Sequence, residues 1–222
     1  MNLAPFIDHT LLLPQATTAD VERLCREAEV AGFAAVCVLP SRVAQAVDHL
    51  INSDVAVCTV VGFPLGAQAP EIKAAEARQA RNEGAEEFDM VVNIGWVKDG
   101  NWSLVDRDIH CVRRATKGLV LKVIFETGLL TDQEKIHLAK LCSTAGVDFV
   151  KTSTGSTYGG ATAEDVALLR QHVSPRVRVK ASGGIKTADQ ARAMVAAGAS
   201  RIGTSHGLAI VGNHADLAVE AC

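Results

Sequence analysis

A repeating unit constrains this chain more than any single residue does. A capped helix runs amphipathically, stops at glycine, and hands over at once to a short β-branched strand. Residues 17–31 stop at Gly32 ahead of the run 34–38. Pro70, whose fixed φ suits a first helical turn, opens a helix that stops at Gly84 ahead of 88–92. Thr131 with Glu134 and Thr187 with Gln190 read as capping boxes; their helices close at Gly146 and Gly198, before 148–151 and 201–203. Further strands read at 55–61, 119–125 and 177–180, and residues 6–9 make an eighth. Near-continuous apolar runs, rather than clean alternation, mark parallel strands covered on both faces. Eight such strands alternating with helices predict an α/β fold, a single (β/α)8 barrel over residues 1–222, near the lower end of length for that architecture. A doubly wound open sheet competes, but no G-x-G-x-x-G follows the first convincing strand.

Composition narrows the partners. The chain is 48% hydrophobic but only 4% aromatic, so Ala, Val, Ile and Leu must build its core, which suits helices packed closely on parallel strands. Its 22 Lys and Arg stand against 25 Asp and Glu without a basic block, which argues against nucleic acid. Six cysteines (25, 37, 58, 111, 142 and 222) contain no C-x-x-C, and most fall in apolar segments as small hydrophobes. The N-terminus lacks a charged region followed by an apolar one, and no apolar stretch reaches a membrane-spanning length. A reducing cytoplasm is the expectation.

In a barrel, function gathers at the C-terminal ends of the strands. Those ends read Asp8, Cys37, Gly62, Asp89 with Asn93, Glu126, Lys151, Lys180 and Gly203-Thr204-Ser205, so Asp8 and Cys37 are expected to line the site. Val150-Lys151-Thr152-Ser153-Thr154-Gly155 and Val179-Lys180-Ala181-Ser182-Gly183-Gly184 are alike: an apolar strand delivers a lysine, and a Gly, Ser and Thr turn follows. Burial disfavours an ammonium, and two converging lysines push one toward a neutral, nucleophilic amine. Strand alternation sets Asp89, Val91 and Asn93 on one face and Phe88, Met90 and Val92 on the other. If the latter face meets the helices, Asp89 points inward toward both lysines. Either lysine alone reads best as a solvated strand-end residue, and Asp89 alone as a structural carboxylate. All three together are an expensive way to fill a core.

Gly183, Gly184, Gly203, Thr204 and Ser205 fall in the last two strand–helix loops, where barrel enzymes commonly cradle phosphate; ordinary turn chemistry is the bland alternative. The seven histidines are scattered, without H-E-x-x-H, so no metal is expected, and no G-x-S-x-G elbow supports a serine hydrolase.

With these residues in view, the chain closely resembles the deoxyribose-phosphate aldolase family, class I aldolases on a (β/α)8 barrel. The likeness spans nearly the whole chain: Ile7-Asp8-His9-Thr10-Leu11-Leu12, Val36-Cys37-Val38, Thr59-Val60-Val61-Gly62-Phe63-Pro64-Leu65-Gly66-Ala67, Asp89-Met90-Val91-Val92-Asn93-Ile94-Gly95, Lys122-Val123-Ile124, and both lysine motifs. The resemblance implies a cofactor-independent lyase that cleaves 2-deoxy-D-ribose 5-phosphate to D-glyceraldehyde 3-phosphate and acetaldehyde. Lys151 would form the Schiff base. Lys180 would lower its pKa and share proton transfer with Asp89. Thr154 would meet a substrate hydroxyl, and Gly155, Gly183, Gly184, Gly203, Thr204 and Ser205 would hold the phosphate. A homodimer is also implied. Leu13, Leu39, Ser156 and His206 depart from the family pattern, and none is a reacting group. The rivals are a class I aldolase for another phosphorylated sugar and a silent sugar-phosphate-binding barrel.

Overall fold

The eight strands close on themselves. In a computed structural model, which describes residues 1–156 and 158–212, they form one parallel barrel in chain order. They are β1 (Ile7–Leu11), β2 (Ala35–Val38), β3 (Ala56–Val61), β4 (Glu87–Val91), β5 (Val120–Ile124), β6 (Phe149–Lys151), β7 (Arg178–Ser182) and β8 (Arg201–Thr204). β8 returns to β1 through Ile7↔Ile202, Asp8↔Gly203 and His9↔Thr204. His214 and Cys222 lie outside the described residues.

Helices α1 (Thr18–Ala31), α2 (Val43–His49), α3 (Pro70–Asn82), α4 (Ile94–Lys98), α5 (Trp102–Ala115), α6 (Asp132–Ala145), α7 (Ala163–His172), α8 (Ala188–Ala196) and α9 (Gly207–Val211) follow their strands. Both expected capping boxes form, and Thr17 with Asp20 adds a third. Pro70 occupies the first turn of α3, where its missing N–H is harmless. Gly32 and Gly146 close α1 and α6 at φ 66° and 68°, conformations that cost glycine nothing. Among the described residues no helix is long and apolar enough to cross a membrane. The five described cysteines are buried and free.

Two local expectations need correcting. The first strand begins at Ile7 and reaches Leu11, because Pro5 holds residues 4–6 in a 3-10 turn. Asn93 does not extend β4 inward. Its side-chain oxygen accepts the Trp96 N–H at 3.2 Å and caps α4, the common fate of an asparagine just before a helix.

Phe88, Met90 and Val92 join the core between barrel and helices, so β4 has the expected parity. Inside, the barrel is divided. Ala35, Cys37, Cys58 and Val60 from β2 and β3 make an apolar sector. The remaining strands bring charged side chains inward, around the buried ring of Phe149.

Candidate active site

Six charged side chains, five of them buried and Arg201 half-buried, alternate in sign around a closed ring. Asp8 Oδ2 lies 2.5 Å from Lys180 Nζ, and Lys180 reaches Asp89 Oδ2 at 2.8 Å. Asp89 Oδ1 accepts from Lys122 at 2.9 Å, and Lys122 reaches Glu87 Oε2 at 2.6 Å. Arg201 binds Glu87 at 3.0 Å and returns to Asp8 Oδ1 at 2.6 Å. Three carboxylates face three cations, so the ring is neutral. Lys151 is the seventh member. It donates to Asp89 Oδ2 at 2.8 Å without belonging to the cycle.

Strand register builds this directly. Asp89 pairs with Lys122 across β4 and β5, and Lys151 pairs with Lys180 across β6 and β7. The two lysines that stood out in the sequence are therefore neighbours on adjacent strands, with one carboxylate oxygen between them.

The electrostatics follow from the ring. Burial would raise the Asp8 carboxyl, but Lys180, Lys122 and Arg201 outweigh it and hold Asp8 at about 2. Burial opposes ionisation of Asp89 too, yet Lys122, Lys151 and Lys180 keep it well below the usual carboxylate range. Burial would lower Lys180, but Asp8 and Asp89 raise it, so it stays an ammonium. Lys122 is raised in the same way, against burial, chiefly by Asp89. Burial pushes the Cys58 thiol up, and its S–H donates to Asp89 Oδ1 at 3.2 Å.

One test of this arrangement is acid stability. A carboxylate with a depressed pKa stabilises the fold above its unfolded value and loses that contribution as pH falls toward the folded value. For Asp8 the window runs from 3.8 down to about 2. We expect the stability gap between wild type and Asp8→Asn, measured by urea unfolding, to narrow by about 2 kcal/mol from pH 5 to pH 2. A gap constant with pH would mean that Asp8 is not held ionised.

Above the ring opens a cleft of about 480 Å³. Lys151 is the ring-associated lysine that lines it, together with Thr154, Gly155, Ser182, Gly183, Gly184, Gly203, Thr204 and Ser205. The expected phosphate residues therefore converge on one wall. Gly183 and Gly184 have φ of 95° and 77°, and Gly183 packs so closely on Gly160 that a Cβ would meet its Cα at 2.9 Å. Gly203 is constrained differently, since a Cβ there would sit 3.0 Å from Lys180 Cε. Leu13, Ser156 and His206, three of the four departures from the family pattern, also border the cleft.

Some expected residues take other positions. Asp8 and Cys37 do not line the cleft; both are fully buried beneath it, Asp8 in the ring and Cys37 in register with Cys58. The Thr154 hydroxyl donates to Glu126 at 2.5 Å, and the Thr204 hydroxyl donates to the Ile185 carbonyl at 2.7 Å, stapling the two glycine loops together. Cys37, Cys58 and Asp89 bring potential ligand atoms within 4.8 Å of one another. The oxygens of Asp89 are already shared by three lysine side chains, and the charge held on Lys122 and Lys180 opposes a dication.

The DeoC/LacD family aldolase profile matches residues 3–212. The chain belongs to the DeoC/LacD aldolase family. Within it, the chain is 55% identical over 211 residues to a deoxyribose-phosphate aldolase of Geobacillus sp. (strain WCH70), covering 95% of each protein. Among solved structures, an aldolase called QR15 superposes with a TM-score of 0.91 at 38% identity, over 96% of this chain and 95% of that one. The deoxyribose phosphate aldolase of Aeropyrum pernix, described as tetrameric, superposes at 0.89 and 36% identity, over 95% of this chain and 89% of its own.

This DeoC/LacD aldolase also holds residues that sequence reasoning passed over. Lys122 sits inside the apolar run 119–125, and a lysine mid-strand in a covered barrel must find carboxylates; that was the available signal. Glu87 and Arg201 open their strands and gave no such hint. Glu126 stood among the strand ends without a role. It adopts φ 56°, the one left-handed non-glycine among the described residues, and fixes both the N–H and the hydroxyl of Thr154. Lys186 lines the cleft beside the glycine loops.

Proposed function

We propose that this chain is a class I aldolase that reversibly cleaves 2-deoxy-D-ribose 5-phosphate to D-glyceraldehyde 3-phosphate and acetaldehyde, with Lys151 as the Schiff-base lysine. The observation that carries this proposal is the position of Lys151: one amine, bound to a neutral ring through Asp89 and facing the cleft.

The amine attacks the C1 aldehyde of the open-chain sugar to give a carbinolamine, which loses water to form an iminium. Removal of the C3 hydroxyl proton breaks the C2–C3 bond, and the electron pair passes into the enamine. D-Glyceraldehyde 3-phosphate leaves. Protonation at C2 and hydrolysis then release acetaldehyde and restore the amine. Lys180, kept charged by Asp8 and Asp89, supplies the fixed positive charge that favours a neutral neighbour. Asp89 is the acceptor shared by both lysines and, with water, the relay for protons moving to and from substrate.

The phosphate belongs at the wall formed by Gly155, Gly183, Gly184, Gly203, Thr204 and Ser205, where glycines let backbone N–H groups approach an anion and Lys186 adds charge. With the Thr204 hydroxyl spent on Ile185, Ser205, whose hydroxyl lies 3.1 Å from His206 Nδ1, is the hydroxyl of that loop that turns to the phosphate. The Thr154 hydroxyl, already donating to Glu126, would accept from a substrate hydroxyl. No cofactor is needed for these steps. A homodimer in the cytoplasm completes the proposal; sedimentation distinguishes it from the tetramer described for the Aeropyrum pernix relative.

Steady-state cleavage with and without the phosphate tests the substrate. We expect kcat/KM for 2-deoxy-D-ribose to fall roughly 100- to 10,000-fold below that of its 5-phosphate, since binding energy at a remote anion supports the reacting end. Lys180→Leu should retain inorganic phosphate binding while kcat drops by about three orders of magnitude. Equal turnover of both sugars would point to another substrate, and normal turnover by Lys180→Leu would break the coupled-lysine mechanism.

A further inference from the structure

We propose that Glu87 and Arg201 are positioning residues that set the net charge beneath Lys151, so that two side chains remote from substrate govern the pH range of Schiff-base formation. This role presupposes the Lys151 chemistry proposed above.

Neither residue lines the cleft. Arg201 reaches from the N-terminal end of β8 and places its planar fork between two carboxylates, on Asp8 Oδ1 at 2.6 Å and on both oxygens of Glu87 at 3.0 and 3.2 Å. Its guanidinium lies 5.8 Å from the Phe149 ring centroid, and that of Arg178 lies 4.0 Å from it. The consequence is a division of labour within each carboxylate. With Oδ1 of Asp8 taken, Oδ2 is left for Lys180. Glu87 holds Lys122, which takes Oδ1 of Asp89 and leaves Oδ2 for Lys151 and Lys180. The lower half of the ring thus aims the upper half.

The charged and titratable groups facing Lys151 or the ring beneath it come from every other strand and the cleft: Asp8 on β1, Cys37 on β2, Cys58 on β3, Glu87 and Asp89 on β4, Lys122 on β5 with Glu126 just after it, Arg178 and Lys180 on β7, Arg201 on β8, and Lys186 and His206 in the cleft wall. Arg178 is exposed, so water screens it. The six ring members are buried or nearly so, and a change of one charge among them is felt strongly. Removing Arg201 leaves the ring at −1, which retains a proton on Lys151. Removing the charge of Glu87 leaves it at +1, which expels that proton.

The experiment is the pH dependence of borohydride-trapped adduct formation with acetaldehyde, read by mass spectrometry at Lys151, alongside kcat/KM for 2-deoxy-D-ribose 5-phosphate. Arg201→Met should move the acid limb upward by about one pH unit, and Glu87→Gln should move it downward by about as much. The Glu87→Gln/Arg201→Met double variant should return the limb to its wild-type position. Arg201→Lys, which keeps the charge and loses the fork, should leave the limb in place while kcat falls several-fold. A purely structural role predicts lower rates without opposite displacements. Limbs that coincide, or move in the same direction, would overturn the proposal. If Arg201→Met does not fold, the direction of Glu87→Gln and the unmoved limb of Arg201→Lys decide it. Absence of a wild-type adduct at Lys151 would instead overturn the Schiff-base assignment, so the two failures are distinguishable.

Discussion

Lys151→Met is expected to abolish cleavage of 2-deoxy-D-ribose 5-phosphate, with kcat falling on the order of a million-fold, while the protein remains folded. The size of the loss follows from the role. Without the amine there is no iminium, and the carbanion formed by C–C cleavage has no electron sink. The survival of the fold follows from the ring. Asp8, Lys180, Asp89, Lys122, Glu87 and Arg201 stay neutral and paired without Lys151, and methionine fills most of the vacated volume. Activity assays and thermal unfolding check the two halves separately. Residual turnover within a thousand-fold of wild type would mean that another group carries the chemistry.

Asp89→Asn should damage both stability and rate. Asp89 is the common acceptor of Lys122, Lys151 and Lys180, each within 2.9 Å. An asparagine keeps the shape but removes the charge and turns N–H donors toward ammonium groups. Breaking a buried pair by removing one partner costs about 3–5 kcal/mol, because the remaining charge stays buried. That is roughly 6–20 °C in Tm for a chain of this size. Below the unfolding transition kcat should be lower by about three to four orders of magnitude, since the shared oxygen between Lys151 and Lys180 is gone. If Asp89 were only a structural pin, folded Asp89→Asn would turn over within tenfold of wild type.

Much of this was legible in the sequence because the signals were local. Capping residues and helix-ending glycines mark boundaries within one turn, and strand alternation gave the inward direction of Asp89 from Phe88 and Val92. Lys151 and Lys180 were visible because each interrupts an apolar strand just before a glycine turn. What stayed hidden depends on register between distant strands. Arg201 meets Asp8 across 193 residues and Glu87 across 114, and neither pairing leaves a trace in spacing along the chain. The same holds for Asp8 and Cys37: their strand-end positions suggested the cleft, and only the barrel's layering shows them beneath it. The internal bonds of Thr154 and Thr204 belong to the same class, for a threonine in a turn looks alike whether its hydroxyl faces ligand or protein.

The central claim is that one amine among the three lysines inside the barrel, Lys122, Lys151 and Lys180, is the nucleophile. Incubation with acetaldehyde and borohydride, followed by peptide mass analysis, tests it directly. A stable two-carbon adduct at Lys151, with Lys122 and Lys180 unmodified, is the predicted result. No adduct, or one at Lys122 or Lys180, would contradict the account.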